Sequence, residues 1–383
     1  MHSRKSEQLS IIAHSHLRWD FVWQRPQQIF SRLAAHHPIL FVEEPVYDAE
    51  QEPRLRILEA QPNVLRAIPV LPSAIEGDAV CQTLLPLLRE AIATHPMLAG
   101  RFEHVLQWFY SPMCAPQMMD QLDELAVVYD CMDELANFRF APKDIGEREA
   151  KLLERADVVF TGGYQLYEAK SRHHSNVHFF GCGVDLEHFE QARLAHTRVP
   201  ETVAGLPGPV LGYFGVIDER LDYELIDTLA RAFSRGSVVM AGPLAKVEKS
   251  SLPQHSNLHW LGQQPYAALP ALVKGFDVCL MPFALNEATR YINPTKTLEY
   301  MAAGKPVVST AVPDVVRNFG DVVRVASGMD SFVEEVLEAV SLPDPARIAA
   351  GLERAQGATW DAIVGSMRNH LLEAVRQATL AAA

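Results

Sequence analysis

Residues 290–310 read "RYINPTKTLEYMAAGKPVVST". From Leu298 onward the stretch reads as a short apolar helix, a Gly-Lys-Pro stop at residues 304–306 and a Val-Val strand. A helix feeding a strand that is apolar throughout is the repeating unit of a parallel sheet covered on both faces. The helix entrance carries different chemistry. Asn293 suits the N-cap, and Pro294 suits the first helical position, where its missing N–H costs nothing. Thr295 and Lys296 follow, and Glu299 stands one turn inside. A lysine in a first turn opposes the helix dipole unless an anion offsets it, and a buried glutamate needs donors. A diphosphate beside Thr295 and Lys296, with ribose hydroxyls on Glu299, would satisfy both. The alternative is a surface lysine paired with a nearby carboxylate.

The same strand–helix alternation runs outward in both directions. "LSIIAHS", "PILFVEEP", "HVLQWFY", "LAVVYDCMD", "ADVVFTGG" and "NVHFFGCG" read as strands, with helices such as "RPQQIFSRLAAHH" and "KDIGEREAKLLERA" between them. After a polar, proline-bearing stretch near 190–207 the pattern restarts with "VLGYFGVI". It continues through "SVVMAGP", "NLHWLG", "DVCLMPF", "KPVVST" and "DVVRVA". The restart predicts two α/β units: residues 1–190 and residues 208–355. The tail 356–383 reads as an amphipathic helix crossing back onto the first unit. In open α/β sheets ligands bind beyond the carboxyl ends of the strands, so two such units facing one another are expected to enclose a central cleft.

Composition excludes several classes. The chain has 383 residues, 48% hydrophobic and 21% charged, which is ordinary for a globular protein. Its net charge, 34 − 47 = −13, with an acidic N-terminal half, argues against nucleic acid as the main partner. No apolar run approaches the roughly 18–20 residues of a membrane-spanning helix. The opening residues lack the apolar core of a signal peptide, so a cytoplasmic location is expected. The five cysteines form no C-x-x-C pair and are expected to be reduced thiols. No D-x-D stands at a strand end, and no metal or other cofactor is expected. "GCGVDL" has a G-x-G but no third glycine, which disfavours a nicotinamide or flavin enzyme.

Taken together, "PTKTLEYMAAGKPVVST" resembles the signature helix and strand of GT-B glycosyltransferases of the bacterial group 1 (family 4-like) class, which carry L-E-x-M-A-x-G followed by P-V-V. The resemblance implies two Rossmann-like doubly wound domains and a nucleotide-sugar donor, with Glu299 on the ribose. "LGYFGVIDERLDYELI" is similar to that class's first C-domain strand and helix. On that pattern Gly215 approaches the donor phosphate and Arg220 neutralises it. Gly262 lies in the loop beside the nucleobase, and Asn293, Thr295 and Lys296 complete the diphosphate site. The class has another glutamate eight positions before Glu299, where this chain has Tyr291. Asn286, Thr289 and Arg290 are therefore the candidates for contact with the transferred sugar.

Two strand ends in the first unit carry the acceptor candidates. "AHSHLRWDFVWQRPQQIF" places His16, Arg18, Trp19 and Arg25 in the first loop, where aromatics can stack on sugars and a helix N-terminus can bind an anion. Trp19 and Trp23 could equally pack the loop. "AVVYDCMDELANF" ends a strand on Asp130 and Asp133. Its position resembles the aspartate base of the GT-B glucuronosyltransferase of xanthan assembly, which makes Asp133 the base and Asp130 its orienting partner. Asp133 could instead cap the following helix.

The expected activity is metal-independent transfer of a sugar, UDP-linked by base rate, to a hydroxyl of a glycan or lipid-linked acceptor in bacterial surface polysaccharide synthesis. Weak peripheral association with the inner face of the membrane would accompany a lipid-linked acceptor. Two alternatives stay open: a nucleotide-sugar epimerase of the same fold, and a degenerate binding protein, which the tyrosine at 291 keeps in play.

Overall fold

The computed structural model describes residues 9–49 and 52–381. Residues 1–8, where the start of the chain was read for a leader, lie outside the described residues. The chain divides into two compact units, Met1–Phe180 with Asp361–Ala383, and Gly181–Trp360.

The first unit is built on one sheet. Its strands are β1 (Ser10–His14), β2 (Ile39–Val42), β3 (Val46–Tyr47), β4 (Arg54–Gln61), β5 (Val64–Leu71), β6 (Val105–Phe109), β7 (Ala126–Cys131), β8 (Val158–Thr161) and β9 (Val177–Phe179). They lie in the order β3-β5-β2-β1-β6-β7-β8-β9, with β4 paired to β5. Every pairing is parallel except β4 with β5. Strands β1, β2, β6, β7 and β8 are buried along their whole length, as a parallel sheet covered on both faces requires. β4 has no fully buried residue, consistent with an edge strand. Phe30, Phe41, Trp108 and Phe160 interlock in the core, with ring centroids 5.2–5.9 Å apart.

The final helix, Trp360–Ala381, belongs to this unit from Asp361 on. It buries Val364, Met367, Leu371, Ala374 and Val375. Arg32 Nε lies 3.1 Å from Asp361, Arg368 Nε donates to His37 Nε2 at 3.1 Å, and the His370 ring sits 3.7 Å from that of His178.

The second unit has six parallel strands: β10 (Val210–Phe214), β11 (Ser237–Ala241), β12 (Leu258–Gly262), β13 (Val278–Met281), β14 (Val307–Thr310) and β15 (Arg324–Ala326). Their order, β12-β11-β10-β13-β14-β15, is the doubly wound order with its reversal between β10 and β13. The unit begins at Gly181, ahead of the polar stretch that the sequence suggested as a boundary. The reason is packing: Phe189 is fully buried and stacks on Phe214 at 6.0 Å, and Val184 pairs with Thr359.

The cysteine expectation is corrected in part. Cys81 and Cys114 form a disulfide, while Cys131, Cys182 and Cys279 are thiols. The two partners are 33 residues apart in sequence, so no local spacing announced them.

Candidate active site

The donor candidates gather where the strand order of the second unit reverses. Three glycines terminate adjacent strands there. Gly215 N donates to Ala241 O and Gly242 N to Gly262 O, each at 2.8 Å. Gly215 (φ +144), Gly242 (φ +158) and Gly262 (φ +68) all have positive φ. A Cβ on Gly242 would lie 1.7 Å from the Gly215 carbonyl oxygen. A Cβ on Gly215 would lie 2.0 Å from Cε of Lys296, so the lysine stem crosses directly over this turn. Lys296 Nζ sits 5.8 Å from the Tyr213 ring centroid.

Lys296 and Glu299 are one turn apart on the helix Lys296–Ala302. Among the described residues neither the Lys296 ammonium nor the Glu299 carboxylate has a hydrogen bond or an ion pair. Glu299 is 7% exposed. Burial raises its pKa to about 7, against the pull of Lys296 and with the push of Asp185. Burial lowers the pKa of Lys296, opposed by Glu299 and reinforced by Arg220. Arg220 is held by Asp218, with Nη2 at 2.7 Å and Nε at 3.0 and 3.1 Å. Tyr300 ties the helix to β10 by accepting from Phe214 N at 3.0 Å. The result is a cation and a carboxylate held by the scaffold without hydrogen bonds or an ion pair, a costly arrangement unless a ligand supplies an anion and hydrogen-bond donors.

Several neighbours play other parts than expected. The helix begins at Lys296, with Thr295 in the cap position making no side-chain cap. A tight turn precedes it, in which Thr297 N reaches Pro294 O at 3.3 Å. Asn293 is therefore not the N-cap; its carbonyl accepts from the Cys182 thiol at 3.0 Å. Thr289 is 1% exposed and its hydroxyl donates to Ala284 O. Asn286 Oδ1 accepts from Ala288 N and Thr289 N at 3.0 and 3.2 Å. Both residues shape the turn; Thr289 is buried in it, while Asn286 stays exposed. Arg290 is exposed, 5.6 Å from the Tyr291 ring and 3.8 Å from Glu287. Asp185 accepts from His188 N at 3.4 Å, and the His188 ring stacks on Tyr266 at 4.3 Å, with Nε2 3.0 Å from Tyr266 O. Asp185 thus caps a turn and also lies close enough to act on Glu299.

In the first unit the strand order reverses between β1 and β6. His14, at the end of β1, is a core residue. It stacks on Phe109 at 4.6 Å and meets Gln107 Oε1 at 2.8 Å, and burial lowers its pKa to about 4. His16 lies half-buried in the following loop. Arg18 donates to Pro45 O at 3.0 Å, with Glu43 3.8 Å away. Trp19 is 6% exposed and packs on Phe41 and Trp23, so it is packing rather than a stacking platform. Arg25 and Asp130 are both buried and pair with each other, Nη2 to Oδ1 at 2.8 Å, while Arg25 Nη1 donates to Phe180 O at 2.7 Å. The expected anion site at Arg25 is therefore corrected, and so is the role of Asp130. That carboxylate orients Arg25, not Asp133. Asp133 is half-buried in the loop beyond β7, where its carbonyl accepts from the Cys131 thiol at 3.5 Å. The 3-10 turn Leu135–Asn137 takes no side-chain cap from its N-cap residue, Glu134.

Residues 208–341 match the family model described as glycosyl transferases group 1. This segment is a group 1 glycosyl transferase domain. The Bacillus subtilis (strain 168) protein named as the teichuronic acid biosynthesis glycosyltransferase TuaH is 28% identical over 203 residues. That match covers 49% of this chain and 51% of the relative, so it spans about half the relative's length. A sucrose-phosphate synthase from Thermosynechococcus elongatus superposes with a TM-score of 0.67 at 16% identity, over 98% of this chain and all of that one. An alpha,alpha-trehalose 6-phosphate synthase from Burkholderia multivorans gives 0.68 at 13% identity, over 98% of each chain. An E. coli trehalose-6-phosphate structure bound with UDP-2-fluoro glucose gives 0.65 at 13%, over 95% of this chain and 99% of that one. The fold is GT-B.

The group 1 domain contains every donor-side candidate from Gly215 to Glu299, whereas Asp133 and the loop after β1 lie outside the matched segment. Among the described residues no cluster of three His, Cys, Asp or Glu is placed to hold a metal ion. Gly242 and Asp185 were not placed in the site by sequence. The signal for Gly242 was the glycine directly after the strand "SVVMA"; Asp185 stands at a turn that it also caps.

Proposed function

We propose that this chain is a glycosyltransferase that moves a sugar from a nucleoside diphosphate donor, UDP-linked, to a hydroxyl of a glycan or lipid-linked acceptor in bacterial surface polysaccharide synthesis. The observation that carries this reading is Lys296 laid across Gly215, with Glu299 one turn further on and, among the described residues, neither charge in a hydrogen bond or ion pair. A diphosphate placed at that glycine turn meets Lys296 and Arg220. Ribose hydroxyls donate to Glu299, which favours its charged form and lowers a pKa that burial has raised.

In the transfer step Asp133 accepts the proton of the acceptor hydroxyl. The acceptor oxygen bonds to the anomeric carbon as its bond to the diphosphate breaks. The nucleoside diphosphate leaves with the electron pair, and Lys296 and Arg220 stabilise its charge, so no step calls on a metal. No helix among the described residues is long and apolar enough to cross a membrane. A lipid-linked acceptor would thus be met at the inner membrane face by peripheral contact.

The test is calorimetric titration with UDP, GDP, dTDP, ADP and CMP, followed by transfer assays. One nucleoside diphosphate should bind selectively, and Glu299→Ala should weaken it by about tenfold or more, the loss of charge-assisted hydrogen bonds. Asp133→Asn should bind donor normally and transfer at least about a hundredfold more slowly. Wild-type transfer by Asp133→Asn would remove the base assignment. Donor conversion without any acceptor would identify an epimerase instead.

A further inference from the structure

The loop carrying Asp133 is anchored from beneath by a buried cation. Lys170, on the helix Tyr164–Lys170, is 4% exposed. Its Nζ lies 2.8 Å from Glu134 Oε2 and 2.7 Å from Glu149 Oε1. Glu149, on the helix Ile145–Arg155, also accepts from the Tyr129 hydroxyl of β7 at 2.6 Å. One ammonium therefore joins two helices, a strand and the residue directly after Asp133. The loop is held from the other side as well. A Cβ on Gly162 would come 3.2 Å from Met132 Cα, and Gly162 N donates to Cys131 O at 3.0 Å. Met132 and Glu134 are thus both fixed, which leaves Asp133 little room to move.

We infer that Lys170 is a positioning residue for this transferase: through Glu134 it sets where the Asp133 carboxylate stands. The inference rests on the reading of Asp133 as base. The groups facing Lys170 are Tyr129 and Cys131 from β7, Glu134 from the loop and Glu149 from its helix. Burial raises the pKa of both Tyr129 and Cys131, which leaves them neutral near pH 7. The local balance is one cation against Glu134 and Glu149, with Asp133 the residue directly before Glu134 in the chain. Burial works against the ammonium, while the paired carboxylates Glu149 and Glu134 favour it, and its pKa is raised. Removing the cation leaves like charges together, and that raises carboxylate pKa values.

Kinetics of Lys170→Met and Glu134→Gln, each over a pH series, test this. Lys170→Met should lower kcat about tenfold or more with donor KM within about twofold of wild type, since the donor is held elsewhere. The acid limb of its pH profile should move up. Glu134→Gln keeps an acceptor for Lys170 and removes one negative charge. It should retain most of kcat and move the acid limb down. Opposite shifts in the two variants are a signature that general loosening would not produce. If Lys170→Met does not fold, Glu149→Gln takes its place, with the acid limb again moving down. The inference is overturned if the acid limb stays in place in these variants, if Lys170→Met moves it down, or if Glu134→Gln or Glu149→Gln moves it up. Asp133→Asn run alongside separates the two ideas. Full activity there removes the base reading itself, whereas lost activity with an unmoved Lys170→Met removes only the role given to Lys170.

Discussion

Glu299 is a carboxylic acid placed where its charge is expensive, and the cost should be measurable without any ligand. Its folded-state pKa is raised from 4.5 to about 7, chiefly by burial. The folded protein therefore holds this proton more tightly than the unfolded chain does. The stability it contributes is fully present below pH 4.5 and is lost as the pH rises through about 7. A shift of that size corresponds to about 3 kcal/mol at most. Denaturant unfolding at pH 5 and pH 8 should show the wild type losing roughly 2–3 kcal/mol more than Glu299→Gln over that interval. Equal losses would mean that Glu299 is not the buried acid described here. Lys296 and Glu299 were legible in the sequence because their chemistry conflicts with their local setting, and Gly215 only through the resemblance of the strand it follows. Arg25 and Asp130 were not, because their partners in the pair are 105 residues apart. The same holds for Trp19, whose packing partner Phe41 comes from a different strand. A charged or aromatic residue at a strand end looks functional until the residue that occupies it is known.

Among the elements, the strand-end glycines make the sharpest comparison. A methyl on Gly242 would strike the carbonyl of Gly215 at 1.7 Å, and backbone cannot swing aside. A methyl on Gly215 would strike Lys296 Cε at 2.0 Å, the middle of a flexible side chain. Gly242→Ala should therefore cost stability, about 2–4 kcal/mol from forced backbone movement at a positive φ. Gly215→Ala, also at a positive φ but facing a side chain that can move, should cost less stability than Gly242→Ala yet lose nucleotide affinity about tenfold, because Lys296 is pushed off the turn. Thermal melts and nucleotide titrations of both variants check this, and equal loss of stability in the two would contradict it. Most of the parallel strands were legible because burial on both faces leaves them apolar throughout, but β5, whose run is broken by Arg66 and Pro69, and the two-residue β3 were not. β4 was not, since its polar residues conceal an edge strand. The helix at Lys296 was placed too early because Asn293 and Pro294 fit the rules for a helix start. The chain inserts one tight turn before obeying them.

At the scale of the whole molecule, the chain passes from one unit to the other at Phe180 and returns at Trp360. The restart near residue 208 was visible as a break in composition. The true start of the second unit was not, because Val184 and Phe189 belong to its core despite their polar surroundings. The return has a thermodynamic consequence. The last helix buries Val364, Met367, Leu371, Ala374 and Val375 in the first unit. At about 1.5–3 kcal/mol for each large apolar side chain, with less for alanine, their removal approaches the whole stability of an ordinary domain. Trp360 and Thr359 stay with the second unit, where Thr359 pairs with Val184. A chain ending at Trp360 should therefore lose the first unit and keep the second. Calorimetry of that truncation should show a weakened or missing transition for the unit that carries Asp133. The remaining transition should still rise when the preferred nucleoside diphosphate is added, because Gly215, Lys296 and Glu299 lie within the second unit. Transfer should vanish while nucleotide binding persists. An unchanged melting profile would show that the helix does not support the first unit, and loss of nucleotide binding would show that the two units fold as one.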